Sequence, residues 1–305
     1  MDLGFWYLVF GFWSFVLKLA TPPLKKYLSL IKFSHTIFAL PFAAVGFALA
    51  VRETGQGLPL QKLLAVALCM VFARSAAMAF NRYLDRRFDA LNPRTATREI
   101  PAGKISPRNA LLFTVLNSVL FIATTLLINP LCFALSFVAL AVVLFYSYTK
   151  RFTPLCHLVL GVGLALAPIG AYLAVTGVFA LLPLLLSFAV FCWVSGFDII
   201  YALQDETFDR EHGLHSIPEA LGGKNALLVS RLLHLGAAVL IVAVGLYGNL
   251  HPVYWAAAAV FVGLLLYQQS IVSPTDLSRV NLAFGTTNGI ASVLFAVGTI
   301  GALLL

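Results

Sequence analysis

Charge is what this sequence has least of. Asp, Glu, Lys and Arg together make up 10% of its 305 residues, where a soluble globular domain carries about a quarter. With a mean hydropathy of +0.94, that scarcity excludes an ordinary water-soluble fold. Cysteine is scarce too. Cys69, Cys132, Cys156 and Cys192 stand singly, in or beside apolar runs, and no CxxC pair exists. Buried free thiols are therefore expected rather than a disulfide framework or a thiolate metal site. Long polar segments are also missing, so the formal charge of +8 is no nucleic-acid signal: the basic residues sit in short connections, with no loop long enough to form a binding domain. No basic residue precedes the apolar stretch 3–17 and no small-residue cleavage site follows it clearly, which argues against a secretory signal.

What the chain has instead is apolar runs of about twenty residues, the length that crosses roughly 30 Å of hydrocarbon as helix. Nine of them fall at 33–51, 62–82, 110–128, 130–148, 155–176, 179–203, 225–247, 252–272 and 281–305. The expected fold is an all-α integral membrane protein with nine transmembrane helices and one domain over residues 28–305. Residues 1–27 form a separate apolar segment and basic linker. Its run 3–17 reaches only about 22 Å as helix and reads as an extra N-terminal helix or interfacial anchor. The loops holding Arg82 to Arg108, Lys150–Arg151, Arg210 to Lys224 and Arg279 are basic, and those between them are short and nearly free of positive charge. This alternation is the positive-inside pattern, and it predicts that both acid-rich loops face the cytoplasm.

Those acids are clustered. Of the 12 Asp and Glu residues, all but Asp2, Glu53 and Asp276 lie between Asp85 and Glu99 or between Asp198 and Glu219. In NRYLDRRFD, Asn81, Asp85 and Asp89 recur every fourth residue; in YALQDETFD, 120 residues later, Tyr201, Asp205 and Asp209 do the same. On a helix this spacing puts each trio on one face. Each trio ends a span, and the two spans cross in the same direction, so both faces open at one membrane surface. Two carboxylates per face make a cage of hard oxygen ligands suited to Mg²⁺ held against a diphosphate. Arg94 and Arg98, i and i+4 in a segment made irregular by Pro93 and Pro101, are the expected diphosphate clamp. Arg82, Arg86 and Arg87 lie on other faces and read as topology residues paired with the acids.

Other single residues have both a functional and a structural reading. Arg74, about 10 Å before Asn81 along the helix, must face a polar cavity or a counter-ion. It is a candidate for an acceptor's carboxylate, or else a structural partner of Asp198. Asp198 sits deeper than Asp205 and Asp209 and is a candidate to bind or deprotonate a phenol, or else a packing acid. Lys32 at the mouth of the first span, and Tyr146, Lys150 and Arg151 in YSYTKR, are further candidates for the clamp. Tyr146 and Lys150, four apart, share a face. Tyr146 and Tyr201 join Arg74 and Asp198 as the expected acceptor-binding set. His212 and His215 lack the second ligand pair that zinc needs, and His35, His157, His234 and His251 read as structural. Gly222-Gly223-Lys224 lacks the spacing of a phosphate loop and reads as a turn.

From residue 28 to its end, at IKFSHTIFALPFA, ARSAAMAFNRYLDRRFDALNPRTATREIPAG, YSYTKRFTPLCHLVLG, GFDIIYALQDETFDREHGLHSIP and NLAFGTTNG, the chain resembles the UbiA superfamily of intramembrane aromatic prenyltransferases. The resemblance implies nine helices around a central cavity, cytoplasmic cap loops, and a polyprenyl diphosphate donor lying toward a lateral opening. It also implies Mg²⁺ held through both motifs: Asn81, Asp85, Asp89, Asp205 and Asp209 would hold metal and diphosphate, assisted by Arg94, Arg98, Lys150 and Lys32. Within the superfamily the motifs look most like bacterial 4-hydroxybenzoate polyprenyltransferases, a group with a branch expected to prenylate a dihydroxynaphthoate for menaquinone by the futalosine route. Two departures from the commoner pattern, Arg82 after Asn81 and Glu99-Ile100-Pro101 after Arg98, bear on the aromatic acceptor more than on the chemistry. The expected partners are thus a polyprenyl diphosphate, an aromatic hydroxy acid and the bilayer, in a bacterial inner membrane. A secondary transporter would need acids deep in several spans, and here only Asp198 is deep. A CDP-alcohol phosphatidyltransferase would need a DG-x2-AR-type motif that is absent.

Overall fold

The computed structural model describes residues 22–31, 38–55 and 57–305, with side chains from Lys26 onward. Its helices are α1 (Pro22–Leu30), α2 (Leu40–Thr54), α3 (Leu60–Leu91), α4 (Pro107–Leu126), α5 (Pro130–Thr149), α6 (Cys156–Thr176), α7 (Leu181–Ala202), α8 (Glu206–Glu211), α9 (Ile217–Tyr247), α10 (Pro252–Ser270) and α11 (Asn288–Leu304). Among the described residues no strand forms beyond an isolated bridge between Ser273 and Asp276. Among the described residues, eight segments are long and apolar enough to cross a bilayer. The first expected span begins within residues 32–37, outside the described residues, and continues as the 15-residue α2. The apolar stretch 3–17 also lies outside them.

The starts of the spans follow from local chemistry. Ser106, Asn129 and Ser216 each accept a hydrogen bond from the backbone N–H three residues on, at 3.2, 2.8 and 3.3 Å. Pro107, Pro130 and Pro218 stand just inside, where a missing N–H costs nothing. Gly55 and Gly177 end α2 and α6 in the left-handed conformation, at φ 61° and 71°. Gly222, at φ 74°, breaks α9 near its start and makes the expected turn.

Helices α2, α6, α7, α9, α10 and α11 pack into one dense body. Its centre is aromatic: Phe42 lies 5.1 Å from Trp193 and 5.5 Å from Phe295 between ring centres, and Phe261 lies 5.2 Å from Phe295. The Trp193 indole N–H, which must be satisfied in an apolar interior, donates to Asn288 Oδ1 at 2.9 Å. Helices α3, α4 and α5 pack on one another and close against α6. On α5 only Ser136, Ser147 and Thr149 are buried; Phe137, Phe145 and Tyr148 are exposed, as lipid-facing residues are, while Leu135, Val142 and Val143 line an internal cavity. Between the two halves lies a cavity of about 350 Å³ lined by α3, α4, α5 and α6.

The candidate active site

Helix α3 runs unbroken for 32 residues, carrying Arg74, Asn81, Asp85 and Asp89 past the end of the apolar run. The second acid motif differs from the single helical face expected of it. Helix α7 ends at Ala202, a tight 3-10 turn occupies Leu203–Asp205, and α8 begins at Glu206. Tyr201, Asp205 and Asp209 therefore do not share one regular face. The Gln204 side-chain amide donates to Tyr201 O at 3.1 Å within this turn.

Each of the four acids meets a different cation. Asp85 Oδ1 accepts from Arg151 at 2.9 Å, and Asp89 Oδ1 from Arg98 at 2.6 Å. Lys150 Nζ lies 2.7 Å from Asp209 Oδ1, and Arg94 is paired with Asp205. One of these pairs crosses between motifs. Arg94 follows the first motif in sequence yet binds the second, through Asp205 and through the Tyr201 hydroxyl at 2.8 Å. Lys150 and Arg151, adjacent after α5, each take one motif. The two motifs thus meet at a single mouth.

Asn92, not singled out in the sequence, completes the link. Its side chain donates to Asp205 Oδ1 at 3.0 Å and accepts from the Arg94 N–H at 2.9 Å. The only hint was its place before Pro93, where a side chain that satisfies local backbone groups is favoured. Burial opposes the charges of Lys150 and Arg94. For both, the neighbouring carboxylate outweighs it: Asp209 holds the Lys150 ammonium above the usual lysine value, and Asp205 does the same for Arg94.

The expected oxygen cage can be tested on its donor atoms. Among the described residues no three His, Cys, Asp or Glu side chains converge closely enough to hold a metal between them. Yet Asp209 is 0% exposed, and its Oδ2, like Asp89 Oδ2, is buried without a hydrogen-bond partner. Buried carboxylate oxygens with lone pairs to spare are hard donors of the kind Mg²⁺ takes. Asn81 donates to Asp85 Oδ2 at 2.9 Å, which leaves its carbonyl oxygen available. The donor set fits the metal.

The acceptor candidates separate into two places. Arg74 and Tyr146 line the inter-helix cavity beside Met78, Ala77 and Leu164. Tyr201 belongs with Arg94 at the mouth, its ring 4.2 Å from that of Phe284. Asp198 has a partner the sequence did not suggest: the His157 ring, through Nδ1 at 2.7 Å, while His157 Nε2 accepts from the Ile217 N–H at 3.3 Å. The ring's Nδ1–H is thus placed to donate to Asp198. The alternative pairing of Asp198 with Arg74 is replaced by this contact. Lys32 lies outside the described residues.

Arg82 also differs from expectation. Read as a topology residue on another helix face and paired with the acids, it is 5% exposed and joins none of the ion pairs among the described residues. Helix α1 and the loop after α3 cover that face: Leu30 packs with Ala79, Ile100, Ile105 and Ala110, Tyr27 stacks on Phe113 at 4.8 Å, and Ser29 hydrogen-bonds Glu99. Helical spacing alone cannot show what a distant segment will cover.

The sequence profile of the UbiA prenyltransferase family matches residues 39–297. The chain is 32% identical over 241 residues to a protein of Tolumonas auensis named 4-hydroxybenzoate octaprenyltransferase, covering 79% of this chain and 84% of that one. The apo structure of a UbiA homologue from Aeropyrum pernix K1 superposes with a TM-score of 0.79 at 35% identity, over 88% of this chain and 97% of the other. A UbiA homologue from Archaeoglobus fulgidus, solved bound to GPP and Mg²⁺, shares the fold with a TM-score of 0.71 at 24% identity, over 92% and 100% of the two chains.

Proposed function

We propose, for a chain that belongs to the UbiA prenyltransferase family, that it transfers a polyprenyl group from a polyprenyl diphosphate to a ring carbon of an aromatic hydroxy acid of the 4-hydroxybenzoate type, in quinone biosynthesis. The observation that supports this most is the single mouth at which Asp85, Asp89, Asp205 and Asp209 meet Arg151, Arg98, Arg94 and Lys150. Carboxylates and cations in equal number, at the rim of an apolar cavity, suit a metal-bound diphosphate with a hydrocarbon tail.

Asn81, Asp85, Asp89, Asp205 and Asp209 would hold Mg²⁺, which when bound offsets the charge growing on the leaving diphosphate. Arg94, Arg98, Lys150 and Arg151 turn from their carboxylates to the diphosphate oxygens and stabilise them as the prenyl carbon–oxygen bond breaks, its electron pair leaving with oxygen. The allylic carbon then bonds to the ring carbon ortho to the acceptor hydroxyl. Asp198, held by the His157 Nδ1–H, has Oδ1 left to take the displaced ring proton and restore aromaticity. The apolar cavity walls exclude water from the cation. The charge pattern of the loops supports a mouth on the cytoplasmic side of a bacterial inner membrane.

A second reading keeps the chemistry and changes the acceptor to a dihydroxynaphthoate of menaquinone synthesis. Arg82 and Glu99, at the two departures from the commoner pattern, bear on this choice of acceptor, and both are buried. The purified protein with Mg²⁺, labelled prenyl diphosphates and a panel of hydroxybenzoic and hydroxynaphthoic acids tests both. Label should pass to one acid class only when Mg²⁺ is present. Absence of transfer to every acid, or transfer indifferent to EDTA, would remove the proposal.

A further inference from the structure

A second hollow opens on the outer surface between α3 and α5, with a volume of about 660 Å³. Phe80 and Leu84 of α3 and Val142, Leu144, Phe145 and Tyr148 of α5 line it, and no charged side chain does. Phe145 and Tyr148 are exposed, so this groove faces lipid. Phe80 and Leu84 are one helical turn apart, and Arg87 continues their stripe one turn nearer the mouth. A helical side chain leans over the turn before it, and an arginine lays its methylenes along apolar surface with the guanidinium at the water boundary. Contrary to its reading as a partner of the acids, Arg87 is exposed and joins none of the ion pairs among the described residues. Tyr148, two residues before Lys150, brings a phenol to the same end of the groove.

We infer that this groove seats an anionic phospholipid of the leaflet on the mouth side, with an acyl chain against the α3–α5 wall and its phosphate at Arg87 and Tyr148. A guanidinium and a phenol at headgroup depth match a phosphodiester in charge and in hydrogen bonding. The local charge disfavours a zwitterionic headgroup. Arg86 is also outside the ion pairs, its guanidinium 4.5 Å from the centre of the Tyr83 ring, while Asp85 and Asp89 are taken by Arg151 and Arg98. A lipid ammonium would meet two arginines and no acid on the groove wall. A prenyl diphosphate shares the plan of anion and tail, but it carries more charge than one exposed arginine balances, and the four cations of the mouth serve it. The groove and the mouth share a wall: Arg151 donates to Leu84 O at 3.0 Å and lies 5.3 Å from the centre of the Tyr148 ring while it holds Asp85. A lipid seated in the groove braces the residues on which Arg151 rests.

The test titrates the purified protein in detergent with short-chain phosphatidylglycerol and with phosphatidylcholine of the same chains, counting bound lipid by native mass spectrometry. Wild type should fill one site with phosphatidylglycerol at concentrations about tenfold or more below those needed for phosphatidylcholine. Arg87→Gln should erase most of that difference. Ala141→Trp, which fills the groove from an exposed position, should weaken both lipids. Arg108→Gln, which removes another exposed arginine outside the ion pairs, should change neither. Phosphatidylglycerol should raise the Tm of wild type and Arg108→Gln more than that of Arg87→Gln. Equal losses in Arg87→Gln and Arg108→Gln would mean diffuse surface charge and overturn the inference, as would undiminished binding in Ala141→Trp or no headgroup preference in wild type. Displacement of the lipid by a metal-free prenyl diphosphate at lower concentration would make the groove a donor entrance instead. Should Ala141→Trp fail to fold, the two arginine variants still decide the headgroup. No readout uses prenyl transfer, so these outcomes stand apart from those of the acceptor panel.

Discussion

Asp85 and Asp89 ride on one uninterrupted 32-residue helix, while Asp205 and Asp209 stand on either side of a change from 3-10 turn to short α-helix. On a continuous helix two acids four residues apart lie about 5–6 Å apart on the same face and repel. In the second motif the break separates them, so Asp205 reaches the loop after α3 while Asp209 sinks to Lys150. One motif is a rigid post; the other is a joint that binds outward in two directions. Such asymmetry suits a site that must hold a charged group firmly on one side and close over it from the other.

That asymmetry breaks most completely if an acid is lost. Asp85→Ala, Asp89→Ala, Asp205→Ala and Asp209→Ala should each lower kcat by at least about 10²–10³-fold while the purified protein keeps its helical circular dichroism. Full activity in any one removes that residue from the proposed cage. Stability should separate the two motifs next. Lys150→Met strands Asp209, which is 0% exposed, and should cost about 3–5 kcal/mol. Arg151→Met strands Asp85, whose side chain is 25% exposed, and should cost closer to about 1 kcal/mol because water screens it. Unfolding of both variants in the same detergent checks the order, and equal losses would contradict it.

A smaller effect lies below the mouth. A Cβ placed at Gly170, in the cavity wall, meets no heavy atom within 4 Å. Gly170→Phe should therefore fill part of the 350 Å³ cavity and shift preference toward short prenyl diphosphates by about tenfold or more, read as competing yields from donors of two lengths. An unchanged preference would mean that the tail lies elsewhere. The smallest expected effect belongs to Arg210→Ala. Its ion pair with Glu206 is at the surface, with the arginine side chain 59% exposed, and its loss should move stability by no more than about 0.5 kcal/mol.

The spans, their order and the pairing of the two acid motifs were legible because hydrophobic run length and four-residue spacing are local signals. The runs at 110–128 and 130–148 come within a few residues of α4 and α5. What the sequence hid is what other segments supply. The break at Leu203–Asp205 has no glycine or proline to announce it. The His157–Asp198 contact joins two spans 41 residues apart. Arg82 lies on another helix face from the acids and is nonetheless buried, one turn from Ala79, on which α1 and the loop after α3 pack. Proximity across helices is set by packing, and a single chain read in order carries little trace of it.

The handles on the two motifs, Lys150 and Arg151, are separated by one peptide bond, and the Lys150 carbonyl also accepts the His215 N–H at 2.7 Å. Neither handle can be shifted along the chain without carrying the other. A one-residue insertion just upstream would rotate both grips off their acids together, so this short corner behaves as a clutch whose two plates engage or slip as one.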